Sequence, residues 1–497
     1  MSPETRVAAD HQEQGTAERE ELRRRLAALP PERRAALRRS LLGGQEKRTW
    51  PLSTGQERLW FLQRFDPDDC AYHITWPVRL RGPIDETALA GAFTAIATRH
   101  EVLRTRFVLD GDLPAQVVDQ PCEVRLDRLD PGRVVDEPRQ DFASSDVEQA
   151  IVAYAGRPFD LAAAPAWRAG LLRLAADDAI LCIVLHHIVV DHWSLDVLMR
   201  ELDESYRAHR EGRPPLLEDL PTQYHDFAVT ERKRAEEDRD NLDYWVERLA
   251  GAPPLDLPLD RPRPARWTGH GAKIDVAVPD AAVARLELLA RAHRATLFMA
   301  LLAAWQVTLG VAAGQDDFCV GVPVAGRDRP ELAPLIGYFS TTLVARADLS
   351  EDPSFGELLR RTRISTLKAL ARAGTSLDRI LGALRVPRDL SRPPLCQAMF
   401  NLTHNLPTGD LLRTELGDLA VELYSQLDLG RARVEVSLDV YRGPEGIGGW
   451  LEYATDLFDG ATARRLADTF ARVVTRAGGD PDLRLSELGA ADRKFRR

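Results

Sequence analysis

The sequence predicts a protein of the α/β class (an α+β sandwich), built as two halves of similar size. Three observations carry that expectation. Strand-like and helix-like segments alternate from Trp50 almost to the C-terminus. Two continuous apolar runs rich in β-branched residues, 179–185 and 318–324, read as buried strands, one in each half. Between them a proline-rich stretch, 253–264, breaks both periodicities and suits a crossing. A chain of 497 residues has the length for two cores.

The elements follow in order. Residues 1–17 are polar and patternless. Leu22, Leu26 and Leu29 then recur at helical spacing, Pro30-Pro31 breaks the helix, and Glu32 opens a second one that runs to Leu42 and stops at Gly43-Gly44. Arg23, Arg24, Arg25, Arg33, Arg34, Arg38 and Arg39 crowd this pair, which reads either as a solvated hairpin or as a docking element. Residues 1–49 are therefore a tail with a helical docking or linker segment, 50–250 a first lobe and 251–497 a second. Within the first lobe 87–99 is helical in pattern, and Ser194 can cap a helix with Leu195, Leu198, Leu202 and Tyr206 on one face. In the second, Asp280 opens a helix with Val283, Leu286 and Leu289 inward, and Thr296 opens another.

Composition excludes several classes. Hydrophobic residues at 44% and charged residues at 29% belong to a globular chain, and a net charge of -10 argues against nucleic acid as the main partner. The longest apolar run, near 297–302, is a buried helix and far too short to cross a membrane. No secretory signal precedes the first helix. Cys70, Cys122, Cys182, Cys319 and Cys396 show no paired spacing, which fits the cytoplasm and neither a zinc site nor a disulfide framework.

The chemistry concentrates in Leu185-His186-His187-Ile188-Val189-Val190-Asp191-His192-Trp193-Ser194, between a buried strand and a capped helix. A loop there can present a neutral histidine to an attacking amine near neutral pH. Asp191 can fix the loop by pairing with an arginine, since a carboxylate is costly to bury unpaired. The residues alone leave three readings open: a structural histidine, a proton acceptor, or a metal ligand for which no further Cys/His/Glu cluster is visible. No nucleophile elbow or phosphate-cradling loop is present, which favours direct transfer over a covalent acyl-enzyme.

This segment resembles the central motif of nonribosomal peptide synthetase condensation domains, and other segments match in the family's order. Ser53-Thr54-Gly55-Gln56-Glu57-Arg58-Leu59-Trp60 is similar to the opening motif and Arg99-His100-Glu101-Val102-Leu103-Arg104 to the second. Arg157-Pro158-Phe159-Asp160-Leu161 resembles the approach to the histidine strand. Tyr224-His225-Asp226-Phe227-Ala228, Ile336-Gly337-Tyr338-Phe339 and Arg388-Asp389-Leu390-Ser391-Arg392-Pro393 resemble the later motifs. The resemblance implies two chloramphenicol acetyltransferase-like lobes in a V with a tunnel between them. Donor and acceptor carrier proteins would deliver acyl or aminoacyl groups on phosphopantetheine arms, with no cofactor held by the chain itself. An acceptor amine, or a hydroxyl, would attack the donor thioester. It implies His187 as the catalytic histidine, His186, Asp191 and Arg327 as loop support, and His192, Trp193, Gly337 and Ser340 along the tunnel. Other synthase subunits would meet residues 1–45.

Departures bear on activity. His192 stands where the family has glycine, and Ser340-Thr341-Thr342 replaces the usual end of the fifth motif. Two other functions remain: a catalytically silent condensation-like module that recruits a partner enzyme, and a coenzyme A-dependent acyltransferase. An epimerization domain fits less well, because Val322-Pro323-Val324-Ala325-Gly326-Arg327 reads as in condensation domains. Heterocyclization domains carry paired aspartates in place of the histidines.

Overall fold

The computed structural model describes residues 49–130, 144–163, 165–386, 389–403, 414–424 and 428–489. The Arg-rich helical pair expected before Trp50, with its docking role, lies outside them, as does Arg388. From Trp50 onward the chain forms one compact unit.

Along the first half run strands β1 (Thr49–Pro51), β2 (His73–Arg81), β3 (Thr105–Asp110), β4 (Leu113–Val118), β5 (Asp127–Arg128), β6 (Trp167–Ala175) and β7 (Asp178–His186). Along the second run β8 (Gly271–Pro279), β9 (Asp317–Val324), β10 (Thr341–Asp348), β11 (Ala398–Thr403), β12 (Thr414–Leu416), β13 (Leu419–Leu423), β14 (Val436–Gly443) and β15 (Gly446–Ala454). They form a small sheet, β1-β4-β3, and two six-stranded sheets, β12-β13-β2-β7-β6-β5 and β10-β9-β11-β14-β15-β8.

Both expected buried strands are central. Strand β7 lies antiparallel between β2 and β6, with His73 opposite His186 and Trp167 opposite Leu185. Its apolar run has no solvent face, so every residue from Ala179 to His186 is buried. Strand β9 lies between β10 and β11 in the second sheet. The helix Leu297–Ala313 is apolar on all sides because it is the core helix of the second half; Leu301 and Trp305 are fully buried. Among the described residues no single helix is long and apolar enough to cross a membrane.

Two hydrophobic cores result. One gathers Phe93, Ile183, Leu195 and Leu202, the other Leu286, Trp305, Phe318 and Phe470. They do not divide at residue 250. Trp245 and Leu249 already belong to the second core, whereas Leu332, Leu335, Ile336 and Phe339 pack into the first. Strand β13 also extends the first sheet, pairing Val421 with Leu80 of β2. The two halves are thus tied together by an exchanged strand pair and by the segment after β9.

One helix start differs from expectation. The helix after the histidine loop is His192–Arg210, and its N-cap is Asp191, whose Oδ1 accepts from Ser194 N at 2.9 Å; Ser194 sits inside the first turn. A cap three residues earlier wins because the Asp191 carboxylate is already fixed in place by other donors. Asp280 opens the helix Asp280–Ala292 as expected, with Pro279 in the cap position and no side-chain cap. Thr296 is a cap as expected, accepting from Met299 N.

Candidate active site

Strand β7 ends at His186, and a single 3-10 turn, His187–Val189, turns the chain out of the sheet. His186 points back into the protein. It is fully buried, its Nδ1 accepts from Ile188 N at 3.0 Å, and its Nε2 therefore carries the proton donated to Gln63 Oε1 at 3.1 Å. Gln63 is anchored in turn by donating to Pro67 O. Burial, then the neighbouring His73 and His187, holds His186 well below the usual imidazole range. It is a structural, neutral histidine.

His187 faces the other way and is half-buried. Its backbone N–H donates to Tyr72 O at 2.8 Å and its Nδ1 lies 2.7 Å from Val190 O. A carbonyl only accepts, so Nδ1 bears the hydrogen and Nε2 keeps the lone pair. The ring packs edge-on against Tyr338, 4.9 Å between centroids. Burial first, and the Arg433 guanidinium second, lower His187 to about 4, against smaller opposing effects of the Val190 hydrogen bond and Asp191. At neutral pH it is an uncharged acceptor.

Asp191 locks this loop. Its side chain is fully buried, and Arg327, 3% exposed, places Nη2 at 3.0 Å from Oδ1. Oδ2 accepts from Phe339 N at 3.1 Å. Arg327 reaches it because Gly326 takes a left-handed turn (φ +63), where a Cβ would lie 1.9 Å from Phe339 O. Arg327 also donates to Leu332 O and to Leu335 O. Ser194 Oγ stands at the centre, accepting from Arg327 Nη2 at 2.8 Å and Gly337 N at 3.1 Å and itself donating to Asp191 Oδ1 at 2.6 Å. Charge, cap and backbone donors together stabilise a carboxylate that burial alone would not tolerate.

The other motif segments converge on the loop. Gln56 Nε2 donates to Ile188 O at 3.1 Å. Tyr224 OH donates to Tyr338 O at 2.6 Å and meets Ser53 Oγ at 2.8 Å. His100 Nε2 lies 2.8 Å from Glu201, and its Nδ1 accepts from Ile336 N. Gly337 is buried because Tyr224 crosses it so closely that a Cβ would meet Cδ2 at 2.1 Å. Trp193 is 43% exposed, with its indole N–H on Ala333 O at 3.0 Å. Ser340 is half-buried just before β10 and outside the Asp191 network. His192 is open to solvent, yet the surrounding protein desolvates its imidazole enough to lower it; both hold for a side chain on a concave wall. Its ring stands 6.4 Å from that of Trp76. Among the described residues no His/Cys/Asp/Glu group is arranged to hold a metal.

Sequence reasoning does not single out Ser194 as the hub, Gln63 as the partner of His186, or Arg433. The first reads as a cap, and nothing local marks the other two.

The fold is that of condensation-type proteins, as the comparisons show. The family model described as the condensation domain matches residues 46–497. Phosphinothricin tripeptide synthetase PhsC of Streptomyces viridochromogenes is 35% identical over 94% of this chain, and malpinin synthetase of Mortierella alpina 37% identical over 84%. The chain spans 44% and 5% of the length of those relatives. Among solved structures, the X-domain from teicoplanin biosynthesis is 27% identical with a TM-score of 0.80, covering 90% of this chain and 98% of that one. The chain belongs to the condensation domain family and is homologous to the condensation domains of nonribosomal peptide synthetases.

Proposed function

We propose that the chain joins a carrier-bound acyl, aminoacyl or peptidyl thioester to the amine, or hydroxyl, of a second carrier-bound group. In this reading the lobes 50–250 and 251–497, with the exchanges described above, enclose a tunnel that both arms enter. The observation that carries it is the neutral His187 with Nε2 free at the end of β7. A base lowered to about 4 is too weak to strip a proton fully from an amine. Its contribution is to accept a hydrogen bond from the attacking N–H and so orient the lone pair toward the thioester carbon. Positioning suffices for an already activated ester. As the C–N bond forms the nitrogen becomes positively charged and far more acidic, so its proton is lost to the departing thiolate as the C–S bond breaks, with Nε2 acting only as the hydrogen-bond acceptor that orients it. The test is mass spectrometry of an acceptor carrier incubated with a loaded donor carrier. His187→Ala is expected to lower product by roughly two to four orders of magnitude with the fold intact. Wild-type turnover in that variant would refute the role.

One observation favours a second reading, a condensation-like module that recruits a partner. The teicoplanin X-domain, similar at a TM-score of 0.79, has been solved in complex with OxyB. His192 in place of a small residue suits a narrowed, silent site. Absence of product with every loaded pair tried, together with stable binding of a tailoring enzyme, would favour it.

A further inference from the structure

Away from the histidine loop, the second half contains a helix that is polar where its core-facing stripe calls for apolar side chains. In the helix Phe355–Leu370, Phe355, Leu358 and Leu359 are buried, and so, at the next helical intervals, are Thr362 and Thr366. The core helix Leu297–Ala313 meets this stripe with Gln306, an amide only 3% exposed in a run that is otherwise almost wholly apolar. Thr362 Oγ1 donates to Gln306 Oε1 at 3.3 Å. Among the described residues nothing accepts from the Gln306 Nε2 hydrogens, a cost that a leucine at this position would avoid.

The amide is not sealed in. It lines a cavity of about 260 Å³ between the helix Phe355–Leu370, the last residues of β10 and the helix Arg239–Leu249. Leu302 and Leu358, each 1% exposed, form the apolar floor, and Tyr244 and Ser365 bring hydroxyls to the wall. The charges around it are mostly cations. Arg346 is joined to Asp317 at 2.6 Å, and Arg360 and Arg361 to Glu357 at 2.8 and 3.2 Å. Arg248 donates to Arg346 O at 3.2 Å, and among the described residues neither it nor Lys368 forms an ion pair with a carboxylate. An apolar floor, an unused amide donor beside it and two unmatched cations suit a ligand with three matching parts.

We propose that this cavity binds a small organic carboxylate, its apolar body on Leu302 and Leu358, a carbonyl oxygen accepting from Gln306 Nε2, and its carboxylate between Lys368 and Arg248. The volume holds a body of about a dozen non-hydrogen atoms, at the small end for ligand sites. Inorganic phosphate would meet the cations but leave the amide and the floor unused. The cavity shares no residue with the histidine loop, so the proposal does not rest on the condensation reading.

The probe is N-acetyl-leucine, titrated into the full chain by isothermal titration calorimetry, with saturation-transfer NMR where binding is weak. Saturable binding is expected, with N-acetyl-leucinamide, which lacks the charge, and inorganic phosphate, which lacks the body, each weaker by roughly tenfold or more. Gln306→Leu should weaken the acid by roughly tenfold while keeping the urea midpoint near wild type, since an unsatisfied buried donor goes with it. Lys368→Gln, on an exposed side chain, should weaken the acid several-fold and flatten its salt dependence. Arg363→Gln, on the same helix but bound to Arg294 O at 2.7 Å and outside the cavity, should bind as wild type. So should His187→Ala; loss of binding there would place the probe in the histidine site and overturn the proposal. No saturable binding of the acid, equal binding of the amide, or an unchanged constant in Lys368→Gln also overturns it. If Gln306→Leu does not fold, Lys368→Gln and the comparison of acid with amide decide.

Discussion

Cutting the Asp191–Arg327 pair is the sharpest test of how the histidine loop is held. The carboxylate is fully buried, the guanidinium is 3% exposed, and the two stand 3.0 Å apart across the two halves of the chain. Breaking a buried pair from one side costs about 3–5 kcal/mol, because the remaining charge is stranded. Arg327→Met falls at the lower end, about 3 kcal/mol, since Asp191 keeps the Ser194 and Phe339 donors, which oppose the stranded charge. Asp191→Asn falls higher: Arg327 would retain Leu332 O, Leu335 O and Ser194 Oγ but no anion, and its Nε already lacks a partner. The double variant removes both charges, so its loss should be smaller than the sum of the singles by about 2 kcal/mol. Urea unfolding followed by tryptophan fluorescence, with the slope held constant across variants, measures all four corners. Turnover should fall in each single variant even where the fold survives, since Asp191 caps the helix that follows His187. A loss under about 1 kcal/mol for Arg327→Met, or simple additivity, would refute the account of the loop.

Two further outcomes follow from the same geometry. His192→Gly opens the wall beside Trp76 and should broaden acceptor tolerance in competition assays with carriers loaded with residues of different size; an effect on stability alone would show that the ring has no bearing on selectivity. His187 is lowered from 6.5 to about 4, so the unfolded chain binds the extra proton first as pH falls, and its contribution of about 3 kcal/mol should disappear between about pH 6.5 and pH 4. Urea midpoints across that range should fall less steeply in His187→Gln than in wild type, and parallel slopes would refute the neutral-histidine assignment.

What the sequence determined by itself was local and periodic. The run from Ala179 to Leu185 could only be a strand buried on both faces, and the histidines at its end had to leave the sheet where a helix began. The family resemblance points to Arg327 as the partner of Asp191, and the fold brings the two into contact. The tertiary structure decided the rest. Whether 419–423 pairs with the first sheet or the second is invisible in its alternation, because either sheet offers the same period and a half-buried edge. Ser194 reads as a cap from its neighbours and becomes a hub only when Gly337 and Arg327, more than 130 residues away, are folded against it.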